Sequence, residues 1–265
     1  MQILQTAILG IVQGLTEFLP VSSDGHLILV RHLLHWSDQG LFFDAILHLG
    51  TFLAVFIYFR QVWFRLLKVI FKKGTRNDEI LLGLLVLATI PGALLGFFGK
   101  DFIEQYFRGV TAAGFGFLVT AALLYFADKT LLKNKNRVAK ERMNVWQTIG
   151  VGMMQAVALL PGVSRSGSTI SGGIFAGLSR ESAVEFSFLM AMPITGGAGL
   201  VALLKDFGQS GTNWPSLFVG FVFSFFVGLW AIQFLIKRVA QHATFRPYVI
   251  YLIIVALLSF AVAKL

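Results

Sequence analysis

Residues 17–26 read Glu-Phe-Leu-Pro-Val-Ser-Ser-Asp-Gly-His, and residues 161–169 read Pro-Gly-Val-Ser-Arg-Ser-Gly-Ser-Thr. Each is a polar break between short apolar pieces. The chain around them is 56% hydrophobic and 13% charged, against about a quarter charged in ordinary soluble domains. Charge-free runs of about 18 residues or more are candidate membrane helices. Residues 80–99, 110–127, 215–236 and 247–263 qualify directly. The stretches 41–59 and 183–204 qualify if they carry Asp44, His48 and Glu185 across. The expected fold is all-α: a polytopic integral membrane protein with about six transmembrane helices. Two further segments, 1–36 and 145–180, are too short and too polar in each half to cross simply, and are expected to be re-entrant helical hairpins.

These two segments resemble each other. Gly10, Gln13, Val21, Ser22 and Gly25 recur as Gly152, Gln155, Val163, Ser164 and Gly167, at an offset of 142 (155 − 13). Three full spans follow each, so the second copy enters the membrane upside down. The chain is therefore expected to be one membrane domain: repeat one 1–128, a basic cytoplasmic loop 129–143, and repeat two 144–265. Inverted-topology repeats with broken helices place their binding site near the bilayer midplane, where irregular backbone survives only buried in protein or facing a wet cavity.

Cationic loops set the orientation, because Lys and Arg favour the cytoplasmic side. Arg60, Arg65, Lys68, Lys72, Lys73 and Arg76 form one such loop. Lys129, Lys133, Lys135, Arg137, Lys140 and Arg142 form a second, and Lys237, Arg238 and Arg246 a third. The net charge of +9 is thereby assigned to loops, and nucleic acid is not an expected partner. The absence of cysteine excludes disulfides and thiolate chemistry. The N-terminal segment does not read as a cleavable leader, since it lacks a basic stretch and Gln13 and Glu17 interrupt its apolar run.

The chemistry sits at the breaks. An Arg between apolar segments costs at least about 2.5 kcal/mol unless it is paired or solvated. Arg165 lies among Ser164, Ser166, Ser168 and Thr169. Guanidinium, hydroxyls and the N–H groups of a following helix can converge on an anion; the plainer role is a pair with Glu17 that holds the hairpins together. Gln13 and Glu17 share a helix face at i and i+4. Glu17 can bind a divalent cation, act as a base or pair with Arg165. Ser23 offers a nucleophile or a phosphate hydrogen bond, and His26 a proton-transfer group. Asp44 with His48, and Glu181 with Glu185, are pairs at the same spacing with structural and functional readings evenly matched. His32 and His35 lie with Trp36 at an interface-like end.

Together the breaks resemble the paired signature motifs of the undecaprenyl-diphosphatase family, also called UppP or BacA. Gln13, Glu17, Pro20 to Ser23, Gly25 and His26 match the first motif; Pro161, Gly162, Ser164, Arg165, Ser166 and Thr169 match the second. The resemblance implies hydrolysis of undecaprenyl diphosphate to undecaprenyl phosphate and phosphate, recycling the lipid carrier of cell-wall synthesis. It also implies a link to bacitracin resistance. Carried over, Glu17, Ser23, His26 and Arg165 would be catalytic, and Ser22, Ser164, Ser166 and Thr169 would bind the diphosphate. Glu17 and Gln13 would hold a divalent cation, Mg2+ or Ca2+. Gln13 stands where some members carry Glu, and Asp24 where a Thr is also found. The expected setting is the bacterial cytoplasmic (inner) membrane, with the site open to the outer face. The expected partners are a prenyl diphosphate lipid and membrane lipids, with a homodimer left open. Ser23 attacking with Glu17 or His26 as base, and direct attack by water, are both open mechanisms. The rival class is a transporter or flippase for an anionic lipid, which the repeat architecture alone would favour.

Overall fold

With no water in the hydrocarbon core, backbone groups there must pair within the segment, which favours helices, and the chain complies. The structure is a computed structural model; it describes residues 3–107, 109–134, 139–140, 142–206, 213–240 and 244–263. The first half runs α1 (Ile3–Phe18), α2 (Ser23–Leu33), α3 (Gly40–Tyr58), α4 (Arg60–Ile70), α5 (Arg76–Phe107) and α6 (Val110–Lys133). The second runs α7 (Val145–Val157), α8 (Arg165–Phe175), α9 (Arg180–Asp206), α10 (Trp214–Ala240) and α11 (Arg246–Val262). Among the described residues there is no strand, only an isolated bridge between Lys140 and Leu178. Lys135 and Arg137 of the second basic loop, and residues 207–212 between α9 and α10, lie outside the described residues.

Among the described residues five stretches are long and apolar enough to cross a membrane: Gly40–Tyr58, Arg76–Gly99, Val110–Lys133, Arg180–Leu204 and Trp214–Arg238. The sixth expected span is α11, an apolar helix of 17 residues. The protein is thus an all-α, multi-pass membrane protein. Phe97, Phe98, Phe126, Leu204, Phe226 and Ile254 point outward and are exposed, as suits side chains whose solvent is lipid. The hairpin helices are shorter. α1, α2, α7 and α8 have 16, 11, 13 and 11 residues. At 1.5 Å per residue they rise about 24, 16, 20 and 16 Å, each less than the ~30 Å hydrocarbon thickness.

The two halves trade partners. α1 packs on α10 and α7 on α5; α3 also meets α10, and α9 meets α5. α3 lies on α9, and α6 on α11. The start and end of α8 both fall 142 residues after those of α2 (165 − 23 and 175 − 33). Small residues permit the closest of these approaches, as is common between membrane helices. A Cβ on Gly14 would lie 2.8 Å from the Gly228 backbone nitrogen, and one on Gly10 2.6 Å from the Gly220 carbonyl oxygen.

One expected loop is partly helix. Residues 60–70 form α4 because Leu66 buries fully and Val62 and Trp63 pack beside it on the core. Its charges face out, with Arg65 Nε 3.5 Å from Asp78 Oδ1. Asp78 and Thr75 exchange hydrogen bonds that cap α5: Thr75 Oγ1 donates to Asp78 Oδ2 at 2.6 Å and accepts from the Asp78 N–H at 3.2 Å. Lys129 and Lys133, expected in the second loop, continue α6. At the same end of α6, buried Asp128 accepts the Phe245 N–H at 2.8 Å and the Thr244 hydroxyl, with Arg180 Nη2 3.5 Å away. It ties α6 to the starts of α9 and α11.

Candidate active site

The two breaks meet. Pro20 and Pro161 lie in the turns that end α1 and α7, and neither can continue the preceding helix. The first turn passes through Ser22 at φ 71°, ψ 104°, a left-handed setting uncommon for a residue with a side chain. The second passes through Gly162 at φ 83°, where a Cβ would also overlap the Ala113 carbonyl. Only glycine satisfies both conditions. Ser166 Oγ then donates to the Leu19 carbonyl at 3.1 Å, joining one turn to the other. α6 backs both: Thr120 Oγ1 accepts the Ser164 N–H at 2.8 Å, and Phe117 lies against Gly25.

Glu17 is the centre. Its Oε1 accepts a charge-assisted hydrogen bond from Arg165 Nη2. Its Oε2 accepts Ser23 Oγ–H at 2.6 Å and Gln13 Nε2–H at 3.1 Å. His48 Nε2 stands 3.5 Å from the same oxygen and 3.6 Å from Asp24 Oδ1. A lone buried carboxylate is costly, so these donors are what make Glu17 tolerable at 8% exposure. Ser23 and Arg165 are also the first residues of α2 and α8. Two helix N-termini, each with positive dipole character, therefore open on one point beside a guanidinium.

The remaining expected residues divide. Ser22 and Ser164 are helix caps: each Oγ accepts an amide N–H, from Gly25 at 3.4 Å and from Gly167 at 3.0 Å. Thr169 Oγ1 donates to the Arg165 carbonyl at 2.9 Å and lies 2.6 Å from Ser187 Oγ. These hydroxyls shape the Arg165 turn, and the protein already uses them. His26 is adjacent but engaged elsewhere, with Nδ1 2.7 Å from the Ser22 carbonyl and Nε2 2.7 Å from the Tyr251 hydroxyl. No hydrogen bond joins it to Ser23, Glu17 or Arg165 among the described residues.

His48 reaches the site because its Nδ1 donates to the Asp44 carbonyl at 2.8 Å, aiming Nε2 at the carboxylates. Asp44 itself is taken by Arg31, whose Nε donates to Gln39 at 2.9 Å. Glu185 faces a separate cavity of about 250 Å³ with Arg142, Asn77 and Ser182. His32 donates to the Val262 carbonyl at 3.0 Å, away from the breaks. Sequence reading missed Tyr251, Thr120 and Ser187. None belongs to a polar break, and the i, i+4 relation of His48 to Asp44 was the only local signal for His48.

A divalent cation can be tested against these side chains. Gln13 Oε1 is a buried acceptor with no hydrogen-bond partner among the described residues, next to Glu17. Among the described residues no three His, Asp or Glu side chains are grouped to hold a metal. Such a donor set fits a cation shared with substrate phosphates, as Mg2+ commonly is, better than one caged by protein alone.

A multi-pass helical protein whose two helix breaks meet at a buried Arg–carboxylate–hydroxyl cluster brings together, within its membrane part, groups able to bind an anion and transfer a proton. The profile of the bacitracin resistance protein BacA matches residues 6–258, and the chain belongs to that family. Its relatives include proteins named undecaprenyl-diphosphatase. That of Caldicellulosiruptor bescii is 39% identical, covering 93% of this chain and 92% of its own. That of Idiomarina loihiensis is 40% identical over 98% of both chains. That of Alcanivorax borkumensis is 41% identical over 94% of this chain and 95% of its own.

Proposed function

We propose that this protein hydrolyses undecaprenyl diphosphate to undecaprenyl phosphate and inorganic phosphate. The observation that carries the chemistry is the hydroxyl of Ser23 donating to Glu17 Oε2 at 2.6 Å while Arg165 holds the other carboxylate oxygen. Phosphoryl transfer needs positioning and charge stabilisation above all. Ser23 Oγ attacks the terminal phosphorus and Glu17 takes its proton. The bridging P–O bond breaks, and undecaprenyl phosphate leaves with the electron pair. Glu17 passes that proton to the departing undecaprenyl phosphate and, ionised again, takes one from the water that attacks phosphoserine, returning it to Ser23 Oγ as the Ser23 O–P bond breaks and phosphate leaves. Arg165 presents its remaining N–H groups to the phosphoryl oxygens, and the α2 and α8 N-termini add to the field. Of the two bases considered, geometry favours Glu17, because both ring nitrogens of His26 are occupied.

A divalent cation bound with the diphosphate would neutralise its charge. Gln13 Oε1 and Glu17 are the side chains proposed to hold it. The short hairpin helices and the exchange of partners between halves support an inverted repeat with re-entrant hairpins. Basic residues gather at the far ends of α3 and α6. This charge distribution supports a site opening to the outer face of the cytoplasmic membrane.

Purified protein in detergent micelles, where transport is impossible, tests the reading. Phosphate release in the presence of cation, with label trapped on Ser23 and lost in Ser23→Ala, is expected. No release would favour the flippase. Label on His26 would overturn the assignment of the nucleophile.

A further inference from the structure

Helices α5 and α9 begin beside one another, and between their starts lies a cavity of about 250 Å³ that Arg142, from the segment before α7, also lines. Its character changes along the helices. Asn77, Ser182 and Glu185 stand in the first two turns, whereas Leu84 and Leu189 come seven residues after Asn77 and Ser182 (84 − 77 and 189 − 182). Seven residues are about 10 Å along each helix axis. The cavity is thus polar at the helix starts and apolar below, graded in the direction in which both helices cross the membrane.

The polar part carries one charge of each sign. Arg142 Nη2 donates to Asn77 Oδ1 at 2.8 Å, which leaves the other N–H groups of the guanidinium for a ligand. Ser182 Oγ accepts from Ser179 Oγ at 3.1 Å and keeps its own proton to donate. Glu185 is exposed and, among the described residues, has no hydrogen-bond or ion-pair partner. It stands five residues into the crossing stretch that starts at Arg180 (185 − 180), where an unpaired carboxylate is costly.

We propose that this cavity binds the headgroup of a zwitterionic phospholipid bearing a primary amine, with its ammonium on Glu185, its phosphate on Arg142 and Ser182, and the start of an acyl chain along Leu84 and Leu189. Charge complementarity selects this occupant. A purely anionic headgroup would meet Arg142 but also the unpaired Glu185 carboxylate. A divalent cation asks for more oxygen ligands than one carboxylate supplies. A soluble zwitterion would leave the apolar depth unused. The volume lies below the roughly 300–1,000 Å³ of sites that enclose a drug-sized ligand, so it takes a headgroup and not a whole lipid. Guanidinium and hydroxyl suit a phosphate, and pockets between membrane helices at a basic face are known lipid-headgroup sites.

The test is a lipid series on full-length protein stripped of bound lipid in detergent. Native mass spectrometry follows titration with short-chain phosphatidylethanolamine, phosphatidylcholine and phosphatidylglycerol. Wild type should bind one phosphatidylethanolamine about tenfold more tightly than phosphatidylcholine, whose trimethylated nitrogen has no N–H for Glu185, on the scale of one charged hydrogen bond. Phosphatidylglycerol should also bind more weakly than phosphatidylethanolamine. In Glu185→Gln the preference for phosphatidylethanolamine over phosphatidylcholine should shrink to within twofold, and Arg142→Met should weaken both alike. Equal wild-type affinity for those two lipids, tighter binding of phosphatidylglycerol, or a preference that survives Glu185→Gln would overturn the proposal. The wild-type series decides even if a variant fails to fold, and it does not depend on phosphate release.

Discussion

Arg165 is asked to do two things, and substitution can separate them. It neutralises buried Glu17, and in the proposed mechanism it presents a fork to phosphoryl oxygens. In Arg165→Lys the ammonium keeps the charge beside Glu17 but offers a point where the guanidinium offers a plane of donors. The structure shows Nη2 on Glu17 and Nη1 3.5 Å from the Ser187 carbonyl, so a single ammonium cannot hold Glu17 and also span a phosphoryl group. Losing one charge-assisted hydrogen bond in the transition state is worth about 1.5–3 kcal/mol, or roughly 10- to 150-fold in kcat. Stability should change little. Arg165→Met removes the charge itself and strands the Glu17 carboxylate, with an expected loss of about 3–5 kcal/mol. Adding Glu17→Gln to Arg165→Met should recover most of that stability while activity stays absent. Phosphate release in micelles and thermal unfolding of the same preparations read the two effects apart. Arg165→Lys within threefold of wild-type kcat would remove the fork from catalysis. Arg165→Met within 1 kcal/mol of wild type would show that the ion pair is not what keeps Glu17 buried.

Gln13→Glu adds a carboxylate beside the orphaned acceptor position, and should lower the cation concentration for half-maximal phosphate release about tenfold, a single favourable charge contact; a higher requirement would refute Gln13 as a ligand. Gly14→Leu forces side-chain atoms into the α10 backbone 2.8 Å away and should cost about 1–3 kcal/mol or more, seen as lost folded yield; normal yield would show that α1 and α10 can separate. Asp128→Ala leaves the Phe245 N–H and Arg180 without their acceptor and should destabilise by about 2–3 kcal/mol. Because this staple lies away from the breaks, kcat at low temperature should stay near wild type; a large kcat loss would imply coupling to the site.

Much of this was legible because membrane composition leaves few alternatives. Long apolar runs had to be helices, and five of the six expected spans match helices of full crossing length, with α11 about two turns shorter than most. The breaks at 19–22 and 158–164 were readable from proline, glycine and serine, whose backbone preferences are local. Helix α4 was hidden because its cations outnumber the apolar stripe of Val62 and Leu66 in the eye of a charge count. The hydroxyls around Arg165 read as anion donors, yet several are caps and back-bonds, since serine and threonine at a helix start are claimed first by the nearest backbone.

The sequence by itself determined that this is a multi-pass helical membrane protein with two related polar breaks and that Glu17, Ser23 and Arg165 are the groups to watch, because hydropathy and residue chemistry are properties of the chain. Only the tertiary structure decided which groups touch. It gave Ser23 to Glu17, His26 to Tyr251, and His48 to the two carboxylates, through contacts between α1, α2, α3, α8 and α11 that no spacing along the chain encodes. Hydrogen bonds depend on tenths of an ångström between helices, and that distance is set by how small residues such as Gly14, Gly25 and Gly162 let the halves close on each other.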